Sequence, residues 1–262
     1  MSNPNYSEIT EAPGLQSTQE QLERIYHRYH FAKQFAVGKN VVEIACGAGM
    51  GLSYLASVAH SVAGGDIDDT NLKIAKENCA GIKNISIDKI DAHHLPFADN
   101  SCDLILLYEA IYYFQNPEKF IEESYRILRS GGKLIICSVN KDWKDFHPSP
   151  FVNKYFSAPE FHSILNNKFK NVKIYGAFEI EKGIKSGVFS LIKRIALKLD
   201  LIPGSLNLRA YLKRIFIGKV FPLPKSITEN MTDYSPPIEL DARKKNTTYK
   251  ILYIVSEKLN TH

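Results

Sequence analysis

Between residues 41 and 138 the chain alternates short apolar runs with amphipathic stretches, and no other feature narrows its fold as much. Val41-Val42-Glu43-Ile44-Ala45, residues 61–66, 85–88 and 103–108, and residues 133–138 read as strands. The first is followed by the turn Gly47-Ala48-Gly49-Met50-Gly51 and a helix to about His60, the second by a helix from Thr70 to about Cys79. Asn116-Pro117, an N-cap and a proline at the first helical position, opens a third helix that Gly131-Gly132 is expected to end. Several runs are apolar on both faces, as strands are when helices cover both sides of a parallel sheet. Upstream, Thr18 starts a helix to about Phe35 with Leu22, Ile25, Tyr26, Tyr29 and Ala32 on one face, and residues 1–16 read as a mobile arm. Downstream, Ser157-Ala158-Pro159-Glu160 has the form of a capping box opening a helix to about Asn166, and residues 172–175 and 249–255 are the remaining strands.

A chain of 262 residues, 44% hydrophobic, is long enough for one large domain with a full core, which excludes wholesale disorder. Cys46, Cys79, Cys102 and Cys137 are scattered without a CxxC pair, so no zinc signature appears and the thiols suit a reducing cytoplasm. The first eight residues have neither the basic nor the apolar region of a secretory signal. The longest apolar stretch, residues 104–114, is broken by Glu109 and is shorter than the ~18 residues a bilayer span needs. A soluble, cytoplasmic protein is expected.

The chemistry concentrates where strands end. Glycines 47, 49 and 51 let the backbone turn sharply and approach a ligand at the start of a helix. The dinucleotide fingerprint would place its third glycine at Leu52, which weakens a nicotinamide or flavin reading. A tight turn without a ligand is the plain alternative. Asp66 closes the second strand in Gly64-Gly65-Asp66-Ile67-Asp68, where a carboxylate can accept both hydroxyls of a ribose. It could instead cap the next helix, but Asp69 and Thr70 fit that task better. Asp91-Ala92 follows the third strand, so Gly47, Asp66 and Asp91 converge on one crevice at the carboxyl ends of the strands.

Four runs in order, Val41 to Gly51, Gly64 to Asp68, Asp91-Ala92-x-x-Leu95-Pro96-Phe97 with Asp103, and Arg126-Ile127-Leu128-x-x-Gly131-Gly132, resemble class I S-adenosylmethionine-dependent methyltransferases of the small-molecule, type 11-like kind. The resemblance implies a Rossmann-like, doubly wound α/β fold with a seven-stranded, mostly parallel sheet whose last strand, from residue 249, is antiparallel. It implies S-adenosylmethionine as cofactor, with Glu43 on the methionine amino end and Ala45, Cys46, Gly47 and Gly49 passing close to the methionyl and ribose moieties. Asp66 would hold the ribose hydroxyls, Ile67 would pack on adenine, Asp91 with the Ala92 backbone would read the adenine amino edge, and the Tyr108 carbonyl would face the cofactor amine. Cys46 stands where Gly or Asp is more frequent. Methyl transfer is then an in-line displacement in which the protein aligns a nucleophile and excludes water. A hydroxyl acceptor needs a base, for which Tyr112, Tyr113 and His147 are candidates, Tyr112 and His147 foremost. His93 and His94 read as spacers. In similar enzymes the first helix closes over the cofactor, where Tyr26 would be an aromatic lid and Arg28 a partner for the carboxylate; simple packing of that helix on the sheet edge is the alternative.

The net charge of +5 is unevenly spread, since residues 182–225 hold ten Lys/Arg and one acid, Asp200. Two amphipathic basic helices are expected there, able to contact an anionic membrane or a phosphate-bearing substrate, or merely to cap the site with a solvated face. The chain is thus divided into an arm and lid helix (1–36), a cofactor-binding domain (37–180 and 245–262) and a basic insertion (181–244). A weaker likeness to methyltransferases of bacterial surface-polysaccharide assembly makes a small-molecule acceptor, a sugar hydroxyl on a nucleotide- or lipid-linked glycan precursor, the leading expectation. Tyr108-Glu109-Ala110-Ile111 lacks the Pro-Pro-aromatic motif of base methyltransferases, and no Pro-Cys pair is present, which demotes nucleic acid. An RNA methyltransferase and a non-enzymatic module that recruits membrane or partner remain the alternatives.

Overall fold

The computed structural model describes residues 10–149, 152–180 and 220–259. Its elements are β1 (Gln16–Thr18), α1 (Gln19–Ala36), β2 (Asn40–Ile44), α2 (Leu52–Ala56), β3 (Ser61–Asp66), α3 (Asp69–Asn78), β4 (Ile85–Lys89), β5 (Cys102–Tyr108), α4 (Pro117–Ile127), β6 (Leu128–Val139), α5 (Ala158–Asn166), β7 (Lys170–Glu179), β8 (Val220–Pro222), β9 (Ile238–Leu240) and β10 (Tyr249–Glu257). The main sheet runs β4-β3-β2-β5-β6-β10-β7-β9. Strands β2 to β6 pair in parallel, and β10 lies antiparallel to both β6 and β7. The seven expected strands are all present, the last antiparallel, and β9 adds an eighth along β7.

The pleat of β5 shows how one apolar run serves two layers. Leu104 and Leu106 join the core under α1 and α2 with Tyr26, Tyr29, Leu52 and Leu55, whereas Ile105 and Leu107 join the opposite core with Phe120 of α4 and Phe161 and Leu165 of α5. All four β5 side chains are fully buried, each stabilising by roughly 1.5–3 kcal/mol. The chain order reverses at β2, with β3 on one side and β5 on the other, and such a reversal opens a crevice at the carboxyl ends of the strands.

Several local expectations are corrected. Asp68 caps α3, its Oδ1 accepting from the N–H groups of Thr70 and Asn71, whereas Asp69 and Thr70 lie inside the helix. α2 ends at Ala56, because residues 57–59 close in turns before β3. α4 ends at Ile127; Gly131 and Gly132 belong to the start of the long β6, where Gly131 N–H donates to the carbonyl of Lys258. Of the expected mobile arm, residues 10–16 are held in place. Gly14 N–H donates to the Leu223 carbonyl at 2.8 Å, and β1 pairs antiparallel with β8 in a separate two-stranded ribbon. The stretch 220–244, grouped with the insertion on sequence, then crosses α1 and α2: Glu229 meets Lys33 and Tyr54, His27 meets the Ser235 carbonyl, and β9 enters the sheet. The amphipathic basic pattern of residues 185–216 lies outside the described residues.

Asn140, after β6, is a structural hub. Its buried amide donates to the carbonyls of Asn246 (2.8 Å) and Tyr249 (2.9 Å) and accepts from the Asp142 N–H (3.0 Å), fastening the loop to the start of β10. Asn140→Ala strands these groups and is expected to cost about 3 kcal/mol, read as a lower urea midpoint at unchanged m-value.

Candidate functional site

A cavity of about 570 Å³ opens at the carboxyl ends of β2, β3 and β5, within the range of roughly 300–1,000 Å³ typical of small-molecule sites. Its floor is the turn after β2. Ala45 and Gly47 both have φ of 56°, a left-handed backbone that brings the main chain to the cavity wall. A Cβ on Gly47 would stand 2.7 Å from Thr10 Cγ2, so the turn is closed over by the N-terminal segment. Asp66, at the end of β3, pins it in place: Oδ2 accepts from Gly47 N–H and Oδ1 from Asp68 N–H, both at 2.9 Å. Burial raises the Asp66 pKa, and those two backbone bonds oppose it.

Glu43, one residue before the end of β2, is 1% exposed. Its Oε1 accepts from the Tyr29 hydroxyl at 2.5 Å, and its Oε2 is buried with no protein partner. Burial pushes its pKa up to about 7 against the pull of Tyr29 and Arg28. Tyr29 can reach Glu43 because its ring lies on Gly51, where a Cβ would be 2.0 Å away. Next to it in α1, Arg28 is also in the cavity wall, its guanidinium 5.5 Å from the Tyr29 ring centroid and 5.7 Å from that of Tyr108. Burial works against its charge, but Glu11, whose Oε2 is 2.6 Å from Nη2, together with Tyr29, Cys137 and Glu109 outweighs it and keeps Arg28 protonated. The Arg28 Nε has no partner. One wall thus holds a buried cation already bound to a carboxylate, and a buried carboxylate with a free oxygen.

The opposite wall follows β5. Glu109 is left-handed, φ 51°, and accepts from the Tyr112 hydroxyl at 3.1 Å; Tyr113, Phe114 and Gln115 continue the wall. Burial and the neighbouring Glu109 carboxylate push the Tyr112 phenol well above its ordinary value, so it keeps its proton at neutral pH and is a poor base. Asp91 accepts from the backbone N–H (2.9 Å) and imidazole Nδ1 (2.8 Å) of His93, which makes His93 a partner of Asp91 and not a spacer.

Of the residues singled out in the sequence, Arg28, Glu43, Ala45, Cys46, Gly47, Asp66, Ile67, Asp91, Ala92, Tyr108 and Tyr112 line this cavity. Gly49, Tyr26 and His147 do not. Gly49 packs onto Ala75 of α3 beneath the turn. Tyr26 is turned to the other side of α1, where its hydroxyl meets His30 Nδ1 (3.0 Å) and Glu229 (3.4 Å); one helical turn on, Tyr29 takes the place expected of it. His147 is exposed in the loop after β6. Thr10, Glu11, Tyr29, Asn71 and Glu109 were not anticipated. Tyr29 and Glu109 left a signal: a tyrosine on the inner face of α1, and an acid interrupting an apolar run at a strand's end.

Residues 42–136 match the family described as "Methyltransferase domain". Among curated proteins the chain is 35% identical over 115 residues, 42% of its length, to phthiotriol/phenolphthiotriol dimycocerosates methyltransferase 1 of Mycobacterium ulcerans, and the match spans 41% of that relative. Among solved structures it superposes on phosphoethanolamine N-methyltransferase 2 of Haemonchus contortus in complex with S-adenosyl-L-methionine, with a TM-score of 0.56 and 17% identity, over 95% of this chain and 54% of that one. It also superposes on the [4+2]-cyclase SpnF, with a TM-score of 0.57 and 14% identity, over 97% and 91% of the two chains. At such identities the structural likeness speaks for the fold. Residues 42–136 thus carry the match to a methyltransferase domain, and the strand order and the crevice at the strand reversal agree with the fold of the superposed structures.

Proposed function

We propose that the protein is an S-adenosylmethionine-dependent methyltransferase acting on a small-molecule acceptor, with a sugar hydroxyl of a glycan precursor as the group methylated. The observation that carries the first part is the pair of buried charges astride Tyr29. An amino-acid end bears an ammonium and a carboxylate, and the cavity wall offers Glu43 Oε2 without a partner and an Arg28 guanidinium that already binds the carboxylate of Glu11. The cofactor, when bound, supplies a methyl group activated on a sulfonium.

This chain's own residues then have distinct tasks. Asp66, fixed by two backbone N–H groups, retains lone pairs for ribose hydroxyls. Ile67, 46% exposed at the cavity, offers an apolar face for the adenine, with Asp91 and the Ala92 backbone at its edge. Tyr112, Tyr113 and Phe114 form an aromatic wall for an acceptor with flat apolar faces, as sugar rings have. The curated relative named for phthiotriol/phenolphthiotriol dimycocerosates supports an acceptor other than nucleic acid. No described helix is long and apolar enough to cross a membrane.

Calorimetry with S-adenosylhomocysteine is expected to show micromolar binding that Asp66→Ala or Gly47→Val weakens at least tenfold; absence of binding by the native protein would sink the proposal. Tritiated methyl transfer into an extract, fractionated into carbohydrate, other small molecules and RNA, is expected to label carbohydrate, and label confined to RNA refutes that acceptor.

Glu43 adds a pH signature. Its pKa, about 7 folded against 4.5 in the open chain, gives stability that is fully present below pH 4.5 and is lost as pH rises through 7. Glu43→Gln should therefore gain about 3 kcal/mol on the native protein between those limits, measured by urea unfolding at each pH. A bound ammonium favours the ionised carboxylate, so S-adenosylhomocysteine should release a proton at pH 6.5, seen as a buffer-dependent binding enthalpy that Glu43→Gln abolishes.

A further inference from the structure

Glu109 is the one acid in the cavity wall that the proposal above leaves without a task on the acceptor's side. It follows β5 directly, and its N–H donates to the Cys137 carbonyl at 2.8 Å, so the chain is still registered on β6 as it turns. The turn is made in the left-handed region, which Gly or Asn enters at less cost than Glu. A role confined to shaping the backbone does not explain a glutamate there. The side chain stands in the cavity wall beside Tyr112, Tyr113 and Phe114. Its Oε2 accepts from the Tyr112 hydroxyl at 3.1 Å, and its Oε1 is 3.9 Å from the Cys137 thiol. No described cation comes within ion-pair distance of it: Arg28 is engaged by Glu11 and Arg24 by Glu20. A carboxylate set in a cavity, held by a hydroxyl and a weak thiol donor, keeps its capacity to take a proton.

We propose that Glu109 is the general base of methyl transfer, taking the proton of the acceptor hydroxyl while Tyr112 orients its carboxylate. The inference rests on the methyltransferase reading and supplies the group that reading lacks. As the acceptor oxygen bonds to the methyl carbon, the carbon–sulfur bond breaks with its electron pair kept on sulfur. The O–H proton passes to a Glu109 oxygen, which later yields it to water. Burial raises the Glu109 pKa against the pull of Arg28, Arg24 and the Tyr112 bond, so its carboxylate takes up a proton more readily than an exposed one. Tyr112 becomes a positioning residue through its bond to Oε2, and His147, exposed outside the cavity, is not needed.

Glu109→Gln keeps the size and the acceptor for Tyr112 and loses the base. It is expected to bind S-adenosylhomocysteine within twofold of the native protein and to lower methyl transfer into the labelled extract fraction by about 10²–10⁴-fold. It should also weaken sinefungin, which carries an amine-bearing carbon in place of the methyl-bearing sulfur, at least tenfold. Tyr112→Phe should move the acid limb of the rate–pH profile upward, because the bond that stabilises the Glu109 carboxylate is gone. Transfer by Glu109→Gln within threefold of native overturns the inference and leaves the methyltransferase reading standing. If no extract fraction takes label, the sinefungin comparison decides, and an equal effect on both ligands overturns it. A native protein that binds no S-adenosylhomocysteine overturns the reading and the inference together.

Discussion

A carboxylate buried on the central strand of the sheet is the constraint around which the crevice is organised. Glu43 sits between Gly64 and Leu106 in register and is almost fully buried, and a charge in that position is costly unless partners meet it. The hydroxyl of Tyr29 meets one oxygen, and that contact dictates much else. It needs α1 close against the turn after β2, which is why Gly51 has no room for a side chain. It brings Arg28 along on the same helix, and Arg28 in turn draws Glu11 and the N-terminal segment over the mouth of the cavity. A simpler core would place a valine at position 43; the chain keeps an acid there with one oxygen unmatched.

The architecture was legible because it is written in local signals that tertiary packing reinforces. The apolar runs of β2, β5, β6 and β10 could be read as strands since both of their faces are covered, and the Asn116-Pro117 and Ser157–Glu160 helix starts were correct because capping is settled within four residues. The errors have equally local causes. Asp68, Asp69 and Thr70 are all competent caps, and which one serves depends on where β3 releases the chain. Gly131-Gly132 looked like a helix stop, but the strand begins before the glycines because Cys102 of β5 pairs with Leu128.

The site was legible on its β-strand side and obscure on its helical side. Asp66, Gly47 and Asp91 sit at strand ends, whose carboxyl termini any sheet of this kind must bring together. Choosing Tyr26 over Tyr29 required the rotation of α1, which helical spacing does not determine where aromatic and basic residues are interleaved, as in Tyr26-His27-Arg28-Tyr29. Glu109 was visible only as an interruption in an apolar run. Its meaning appears when the left-handed turn and Tyr112 place it at the cavity, both consequences of the fold.

The ribbon of β1 and β8 bears on the order in which the molecule is completed. Thr10 and Glu11 cover the glycine turn, yet the backbone bonds that hold their segment come from Leu223 and residues 220–222, and the sheet itself is closed only when β10 slots between β6 and β7. Contacts of such long sequence separation form late, because the loops they close cost entropy before they return any. During synthesis the backbone pairing of the N-terminal segment therefore waits for a stretch made some two hundred residues later, and a chain carrying every strand up to β7 holds the roof of its crevice by side chains alone, Arg28 on Glu11 and Asn71 on Thr10.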